Sequence, residues 1–368
     1  MKAILHIIDL MSVGGAQTIV KELFENQIDN NDIYVFVLRK SCNSILIQHK
    51  NVIISKSKSK YSLKALFELK NIIHQNNVQV LHCHLFKSQV FGWLLKSFFL
   101  KNIKLIFHEH GQIWGSETKL KLDDFFFISF LRFAKRQVDR FIAISMATKI
   151  KLIERAGVPT KKIDILNNFV NHDKYCKNFS VLKKKAELEK LGYENEMFLV
   201  GFAGRIIERK GWQTFIEAAH ILRNEPSILF VIAGSGHEVK KMMKMVSDLN
   251  LNHKIIYYGF VDNMVNNFYS IIDCLIIPSH WEPMGLVELE AQAMEIPVVV
   301  ANVSALNEIV EDRVNVLFFE SKNAVDLAEK IIELNTHPKI ISYLKLNGLA
   351  NSKKYSIQNY INQLSQLY

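Results

Sequence analysis

Two glutamates eight residues apart, in the segment PSHWEPMGLVELEAQA, carry the most informative chemistry of this sequence. Glu282 stands just ahead of a helix expected to begin near Met284-Gly285, after Pro283, and Glu290 lies inside that helix. The free N–H groups and positive dipole end of such a helix make an anion site suited to phosphate. Gly285 lets the backbone approach closely. Carboxylates repel phosphate but suit hydroxyls, such as those of a ribose or a sugar ring. A second segment, GFAGRIIERKG, puts Arg205 just past a strand end and Lys210 before the next helical pattern. A diphosphate bound without a metal needs fixed cations, and this pair could supply them. Two H-x-H pairs, His82/His84 and His108/His110, fall at strand ends. Alternate strand residues share a face, so four imidazoles could meet at a metal, as in a metal-dependent hydrolase. Each feature also has a plain structural reading: helix-start and helix-face acids, solvated surface cations, and capped histidines on adjacent strands.

The elements that must position these residues alternate along the chain. Short apolar runs at Ala3–Ile8, Ile33–Leu38, Val78–His82, Lys104–His108 and Phe141–Ile144 predict strands, with helical patterns such as Ala16–Gln27 and Leu63–Asn76 between them. The series restarts at Phe198–Ala203 and continues near Leu229–Ala233, Ile255–Tyr258, Asp273–Ile277 and Pro297–Ala301. A polar, lysine-rich stretch from Asn171 to Glu196 separates the two series and is expected to hold one exposed helix. Each half opens with a strand and a glycine turn: Gly14-Gly15 in the first, Gly201, Gly204 and Gly211 in the second. The pattern predicts an α/β protein of two doubly wound, Rossmann-like domains facing across a cleft, with ligand at the carboxyl ends of the strands. The expected domains are 1–172, joined by a returning helix at 355–368, and 173–354.

These segments together resemble the retaining nucleotide-sugar glycosyltransferases of the GT-B fold, whose E-x7-E motif reads Glu282–Glu290 here. The likeness covers nearly the whole chain. SVGGAQ is similar to that family's N-terminal glycine loop, RFIAIS and ILNNFVN to its middle landmarks, and VIAGSG and YYGFV to its C-domain loops. The resemblance implies that Arg205 and Lys210 bind the donor diphosphate, together with the backbone N–H groups of Gly285, Leu286 and Val287. It implies that Glu290 holds the ribose hydroxyls, that Glu282 contacts the donor sugar, and that Phe260 and Val261 lie near the base. Gly14 and Gly15 would close over the donor, His110 would contact the transferred sugar, and the last helix would cross back to the first domain. The implied reaction moves a hexosyl or N-acetylhexosaminyl group from a nucleotide diphosphate sugar such as UDP-sugar to a glycan or lipid-linked acceptor. Retention is implied, in bacterial surface polysaccharide synthesis (lipopolysaccharide or capsule). No D-x-D occurs, so no metal and no other cofactor is expected, and the histidine pairs are taken as structural or cleft-lining. The chain departs from the family at Glu295, where glycine is usual, at Ser304–Glu308 in place of a Gly-Gly-x-x-Glu turn, and at Asn315-Val316 in place of Asn-Gly.

Charge and hydropathy narrow the partners. Residues 1–180 carry 27 Lys+Arg against 14 Asp+Glu, a net +13, while the remainder is at −3. An anionic partner is therefore expected on the first half only. The basic, aromatic segments Phe86–Lys104 and Phe125–Arg140 admit two readings, ordinary helices burying a Phe-rich face or partial exposure against an anionic membrane surface, and nucleic acid is not favoured. No apolar run approaches the roughly 18–20 residues of a spanning helix. Cys42, Cys83, Cys176 and Cys274 form no C-x-x-C pair, which fits a reducing compartment. The expected location is cytoplasmic, peripheral on the inner membrane face. A GT-B nucleotide-sugar epimerase and a non-catalytic nucleotide-sugar-binding homologue at the membrane are the alternatives. Hydride transfer on a dinucleotide is disfavoured, because neither glycine turn reads G-x-G-x-x-G.

Overall fold

The computed structural model describes residues 2–12, 14–27, 32–39, 47–57, 62–111, 122–176, 181–190, 192–193, 197–303 and 306–368. The chain divides into two compact units, one of residues 1–168 with 357–368 and one of residues 169–356.

In chain order the first unit contains β1 (Ala3–Ile8), α1 (Gly15–Glu25), β2 (Ile33–Val37), β3 (Val52–Ile54), α2 (Leu63–Gln75), β4 (Val78–His84) and α3 (Phe86–Phe98). It continues with β5 (Lys104–Glu109), α4 (Leu122–Ala134), β6 (Arg140–Ala143), α5 (Met146–Ala156) and β7 (Ile163–Ile165). Its strands form one parallel sheet ordered β3-β2-β1-β4-β5-β6-β7. The order reverses direction between β1 and β4, so loops leaving these neighbouring strands diverge and open a crevice at the carboxyl edge. Strand alternation sorts the residues into two faces. Leu5, Ile7, Leu81, Cys83, Leu105 and Phe107 enter one continuous apolar core. The alternate positions His6, His82, His84 and His108 stand on the opposite face and are buried as well.

The second unit contains α6 (Val181–Lys190), β8 (Phe198–Ala203), α7 (Trp212–Ile221), β9 (Ile228–Ala233), α8 (Val239–Asp248) and β10 (Ile255–Gly259). After these come β11 (Cys274–Ile277), α9 (Leu286–Ala293), β12 (Val298–Ala301), β13 (Leu317–Phe319), α10 (Ala324–Thr336) and α11 (Pro338–Lys354). Its parallel sheet is ordered β10-β9-β8-β11-β12-β13 and reverses between β8 and β11. The last helix, α12 (Ile357–Leu367), belongs to the first unit. The two segments by which the chain leaves and re-enters that unit pair with each other: Val170 N–H donates to Tyr355 O at 2.9 Å, beside a parallel bridge between Val170 and Ser356.

The α/β doubly wound prediction matches the two sheets. Three strands, β3, β7 and β13, lie outside the sequence expectation; each has three residues and each is a sheet edge. The lysine-rich stretch does carry one helix, α6.

Candidate functional site

Arg205, Lys210, Glu282 and the start of α9 gather at the β8/β11 reversal, whereas Phe260 and Val261 follow β10 at the edge of the sheet. β8 ends at Ala203 and delivers Arg205 to the surface, where it is exposed and makes no ion pair among the described residues. A single 3-10 turn, Glu208–Lys210, then leads through Gly211 into α7. Gly211 has φ +67°, and a Cβ there would lie 1.8 Å from the carbonyl oxygen of Pro278. Only glycine lets this turn close onto the loop after β11. The same contact is tied by His280 N–H donating to Arg209 O at 2.9 Å. Gly234, after β9, is equally constrained, with φ +153° and a Cβ position 1.8 Å from Gly204 O.

That closure brings the Lys210 ammonium onto the Glu282 carboxylate as an ion pair. Ser279 Oγ donates to Glu282 Oε1 at 2.8 Å. Burial alone would raise the Glu282 carboxyl, but the charge and hydrogen bond of Lys210, the charge of Arg209 and the Ser279 bond outweigh it. Glu282 is therefore held below the usual carboxylate range, ionised although only 6% exposed. Arg209, which the sequence reading passed over, spreads its guanidinium over the Trp281 ring at 4.9 Å.

The helix after this loop begins at Leu286, with Gly285 at its N-cap and no side chain capping it. The N–H groups of its first turn are thus free of side-chain acceptors at the cap. Glu290, one turn inside, takes the Tyr175 hydroxyl on Oε1 at 2.8 Å and the Tyr269 hydroxyl on Oε2 at 2.7 Å. Two phenols on separate elements thus orient a single carboxylate, a support that spacing along the chain does not reveal. Glu288, also passed over, is fully buried with neither oxygen hydrogen-bonded. Burial, then the neighbouring Glu282 charge, pushes its carboxyl well above the usual range. Phe260 is exposed and Val261 half-buried just beyond β10. Glu295, where glycine was usual, has φ +54° in the turn after α9. Residues 304–305 of the neighbouring departure lie outside the described residues, while Asn315 Oδ1 accepts the Glu311 N–H at 2.9 Å.

The first unit places its nominated residues at its own reversal. Gly14 caps α1 and Gly15 is its first residue, both in the connection leaving β1. His110 follows the last residue of β5, 8% exposed. The H-x-H pairs do converge, and His6, inside the predicted strand Ala3–Ile8, joins them. Register explains the convergence: His6 lies opposite His82, and His84 opposite His108. The ligand nitrogens of His6, His82 and His84 lie within 4.8 Å of one another, as do those of His84, His108 and His110. Burial holds all five imidazoles below the usual histidine range, His6 at about 4 and His110 at about 3.

With this geometry in place, comparison with known proteins is direct. Residues 183–348 match the family described as Glycosyl transferases group 1, and residues 13–174 match Glycosyltransferase Family 4. Over 292 residues the chain is 26% identical to the UDP-Gal:alpha-D-GlcNAc-diphosphoundecaprenol alpha-1,3-galactosyltransferase of Escherichia coli, covering 77% of this chain and 73% of that one. It is 28% identical over 227 residues to the alpha-monoglucosyldiacylglycerol synthase of Acholeplasma laidlawii, covering 57% and 56% of the two chains. HepE of Anabaena, crystallised with UDP and glucose, has the same fold: TM-score 0.84 at 20% identity, over 100% of this chain and 99% of that one.

Proposed function

The chain belongs to the glycosyltransferases, group 1 in its second half and family 4 in its first, with the GT-B fold, and on that premise we propose a specific transfer. The enzyme moves a sugar from UDP-sugar to a glycan or lipid-linked acceptor, with retention and without a metal, in the synthesis of bacterial surface polysaccharide or glycolipid. One observation carries the reading: unpaired Arg205, the Lys210–Glu282 pair and the uncapped start of α9 share the β8/β11 reversal. The UDP bound to HepE and the UDP-Gal named for the Escherichia coli relative support the choice of base.

Departure of a nucleoside diphosphate concentrates negative charge on its phosphate oxygens. Fixed donors aimed at that charge stabilise the transition state more than the bound donor. In this reading Arg205, Lys210 and the N–H groups of Gly285, Leu286 and Val287 take the diphosphate. Glu282, ionised by its neighbours, accepts from a sugar hydroxyl. Glu290, its carboxylate oriented by a tyrosine hydroxyl on each oxygen, is assigned to the ribose hydroxyls. Phe260 and Val261 flank the base. On the first unit, His110 and the N–H groups of Gly14 and Gly15 are the groups assigned to the transferred sugar. The acceptor attacks from the leaving-group face and its proton passes to the departing diphosphate.

The acceptor side of the reading rests on α3 and α4. Phe98 and Phe133 are 67% and 66% exposed, and both rings lie on Trp93, so the two helices present one aromatic surface. Phe125 and Phe126 are exposed on α4, and Lys96, Arg132, Lys135 and Arg136 belong to the same two helices and the turn after α4. Apolar rings among cations suit the face of an anionic bilayer, at which a lipid-linked acceptor would be met. No helix among the described residues is long and apolar enough to cross a membrane.

Thermal unfolding with a panel of UDP-, GDP- and ADP-sugars tests the donor assignment. A UDP-sugar at one hundred times its Kd adds about 2.7 kcal/mol to stability and raises Tm, while the other bases leave Tm where it was. A panel in which no UDP-sugar raises Tm would overturn it.

A further inference from the structure

The five imidazoles of the first unit are joined end to end. His108 Nδ1 lies 3.2 Å from His82 Nε2, and His82 Nδ1 lies 2.8 Å from the Tyr368 hydroxyl. That hydroxyl is 3.4 Å from His6 Nε2, and His6 Nδ1 is 3.0 Å from His84 Nε2. His84 Nδ1 lies 3.0 Å from His110 Nε2. Six side chains from β1, β4, β5 and the residue after α12 therefore make one unbranched chain. Its two ends differ. His108 Nε2 is buried with no partner, whereas His110 Nδ1 makes no hydrogen bond among the described residues.

Burial keeps all five rings uncharged near neutral pH. A neutral imidazole has one N–H and one lone pair, so a ring that accepts on one nitrogen must donate from the other. A hydroxyl that accepts from one neighbour passes its own hydrogen to the next. Tyr368 Oη could accept from both neighbours only by leaving its own O–H without an acceptor, so every link points the same way and two arrangements remain: all five rings carry hydrogen on Nδ1, or all five carry it on Nε2. The second would leave His108 with a buried N–H and no acceptor, the rarer kind of unsatisfied group.

We propose that this chain locks the five histidines in a common Nδ1–H tautomer and so presents His110 Nδ1–H as a fixed donor at its open end. Tyr368 and the four inner histidines are positioning residues, acting through His110. The functional half of the inference rests on His110 contacting the transferred sugar, where a fixed donor would meet a hydroxyl oxygen. Coordination of a metal by the same rings is disfavoured by their mutual geometry. His108 and His110 stack with centroids 4.0 Å apart and an interplanar angle of 23°, while His84–His110 and His82–His108, with centroids 5.3 Å apart and nitrogens at 3.0 and 3.2 Å, meet edge to edge. Each linked pair thus aims one nitrogen at the other along the ring planes, so the lone pairs that a common ion would need are already directed at a neighbouring ring.

Selective 15N-histidine labelling of the full chain, with two-bond proton–nitrogen correlation spectra at pH 7.5, reads the tautomer of each ring. Single His→Gln variants assign the five signals. The expected spectrum shows all five as neutral Nδ1–H; mixed tautomers, Nε2–H, or an imidazolium would overturn the proposal. So would stoichiometric zinc retained after dialysis against EDTA, seen by elemental analysis. In Tyr368→Phe the relay is cut: signals of both tautomers appear for His82 and His108, because either arrangement now leaves one of that pair with an N–H and no acceptor, while His6, His84 and His110 keep Nδ1–H. In His84→Leu, His110 loses the donor on its Nε2 and its tautomer is no longer fixed, and turnover falls about tenfold with the donor KM little changed, the scale on which partners of a functional histidine act. Unchanged tautomers would sink the chain. Mixed tautomers of His110 in His84→Leu with full turnover would instead sink the assignment of His110 to the sugar. The wild-type spectrum decides the tautomer question even if Tyr368→Phe does not fold.

Discussion

In the seven-stranded sheet the strand order reverses between β1 and β4, and uncharged, buried imidazoles stand there in hydrogen-bonded contact with one another. In the six-stranded sheet it reverses between β8 and β11, and the groups found there are an ion pair, two arginines and the start of a helix. Both units wind the same way, and both place their polar side chains at the carboxyl edge. One unit removes charge by burial; the other retains it by pairing. The difference teaches that topology supplies a crevice and that the local partners of each titratable group decide what the crevice can bind.

The largest expected effect falls on the charged side. Lys210→Ala removes a cation from the diphosphate and leaves Glu282 buried with only Arg209 and Ser279 for support. A loss of roughly 100- to 1000-fold in kcat/KM is expected, the scale for deleting one electrostatic donor in an active site. Isothermal titration with UDP-sugar should show weakened binding; wild-type affinity would place the diphosphate elsewhere. Arg205→Ala is the companion variant, because an exposed, unpaired cation can be lost without moving Tm.

Acid is expected to act on the neutral side. A histidine whose folded value lies below its unfolded one contributes no penalty above pH 6.5. As pH falls below that value, the unfolded chain takes up protons that the folded chain refuses. His6, at about 4 in the folded chain, costs about 2 kcal/mol at pH 5, and the other four rings shift stability in the same direction. Urea unfolding followed from pH 7.5 to 5 should show a steep loss. Replacing His6 with Gln should flatten it, and a loss of the same steepness in that variant would mean that the ring is charged in the fold.

The smallest effect belongs to a departure from the family. Glu295 holds φ +54°, where a side chain is strained and glycine is not. Glu295→Gly should raise the urea midpoint by about 0.5–1 kcal/mol in ΔG, without touching donor affinity. Unchanged or lowered stability would show that the Glu295 side chain offsets its backbone strain.

Much of this arrangement could be read from the residues, and the omissions have physical causes. The long central strands announced themselves by apolar runs, because parallel strands are covered on both faces. Val52–Ile54, Ile163–Ile165 and Leu317–Phe319 are edge strands of three residues, too short for any period to register. Arg205, Lys210, Glu282 and Glu290 were visible because the turns that carry them are local. The tyrosines holding Glu290 were not, since 115 residues separate Tyr175 from it. His6 was hidden by a habit of reading: a polar residue in an apolar run looks like a break. Its strand face, shared through register with His82, was the signal available. Glu288 was masked by its place between the two motif glutamates.

The assignment of α12 to the first unit has a consequence for the order in which the molecule is made. Residues 169–356 emerge from the ribosome as an unbroken stretch and have every strand of their sheet in hand at once. The first unit begins earlier and finishes later. Its seven strands precede that stretch, but the unit must wait for α12 and for Tyr368, the hydroxyl that joins the two halves of its histidine chain. At roughly 5–20 residues per second, the roughly 190 intervening residues impose a delay of about 10–40 s. During that interval six polar side chains destined for a sealed interior are one member short. The unit translated first is therefore the one completed last.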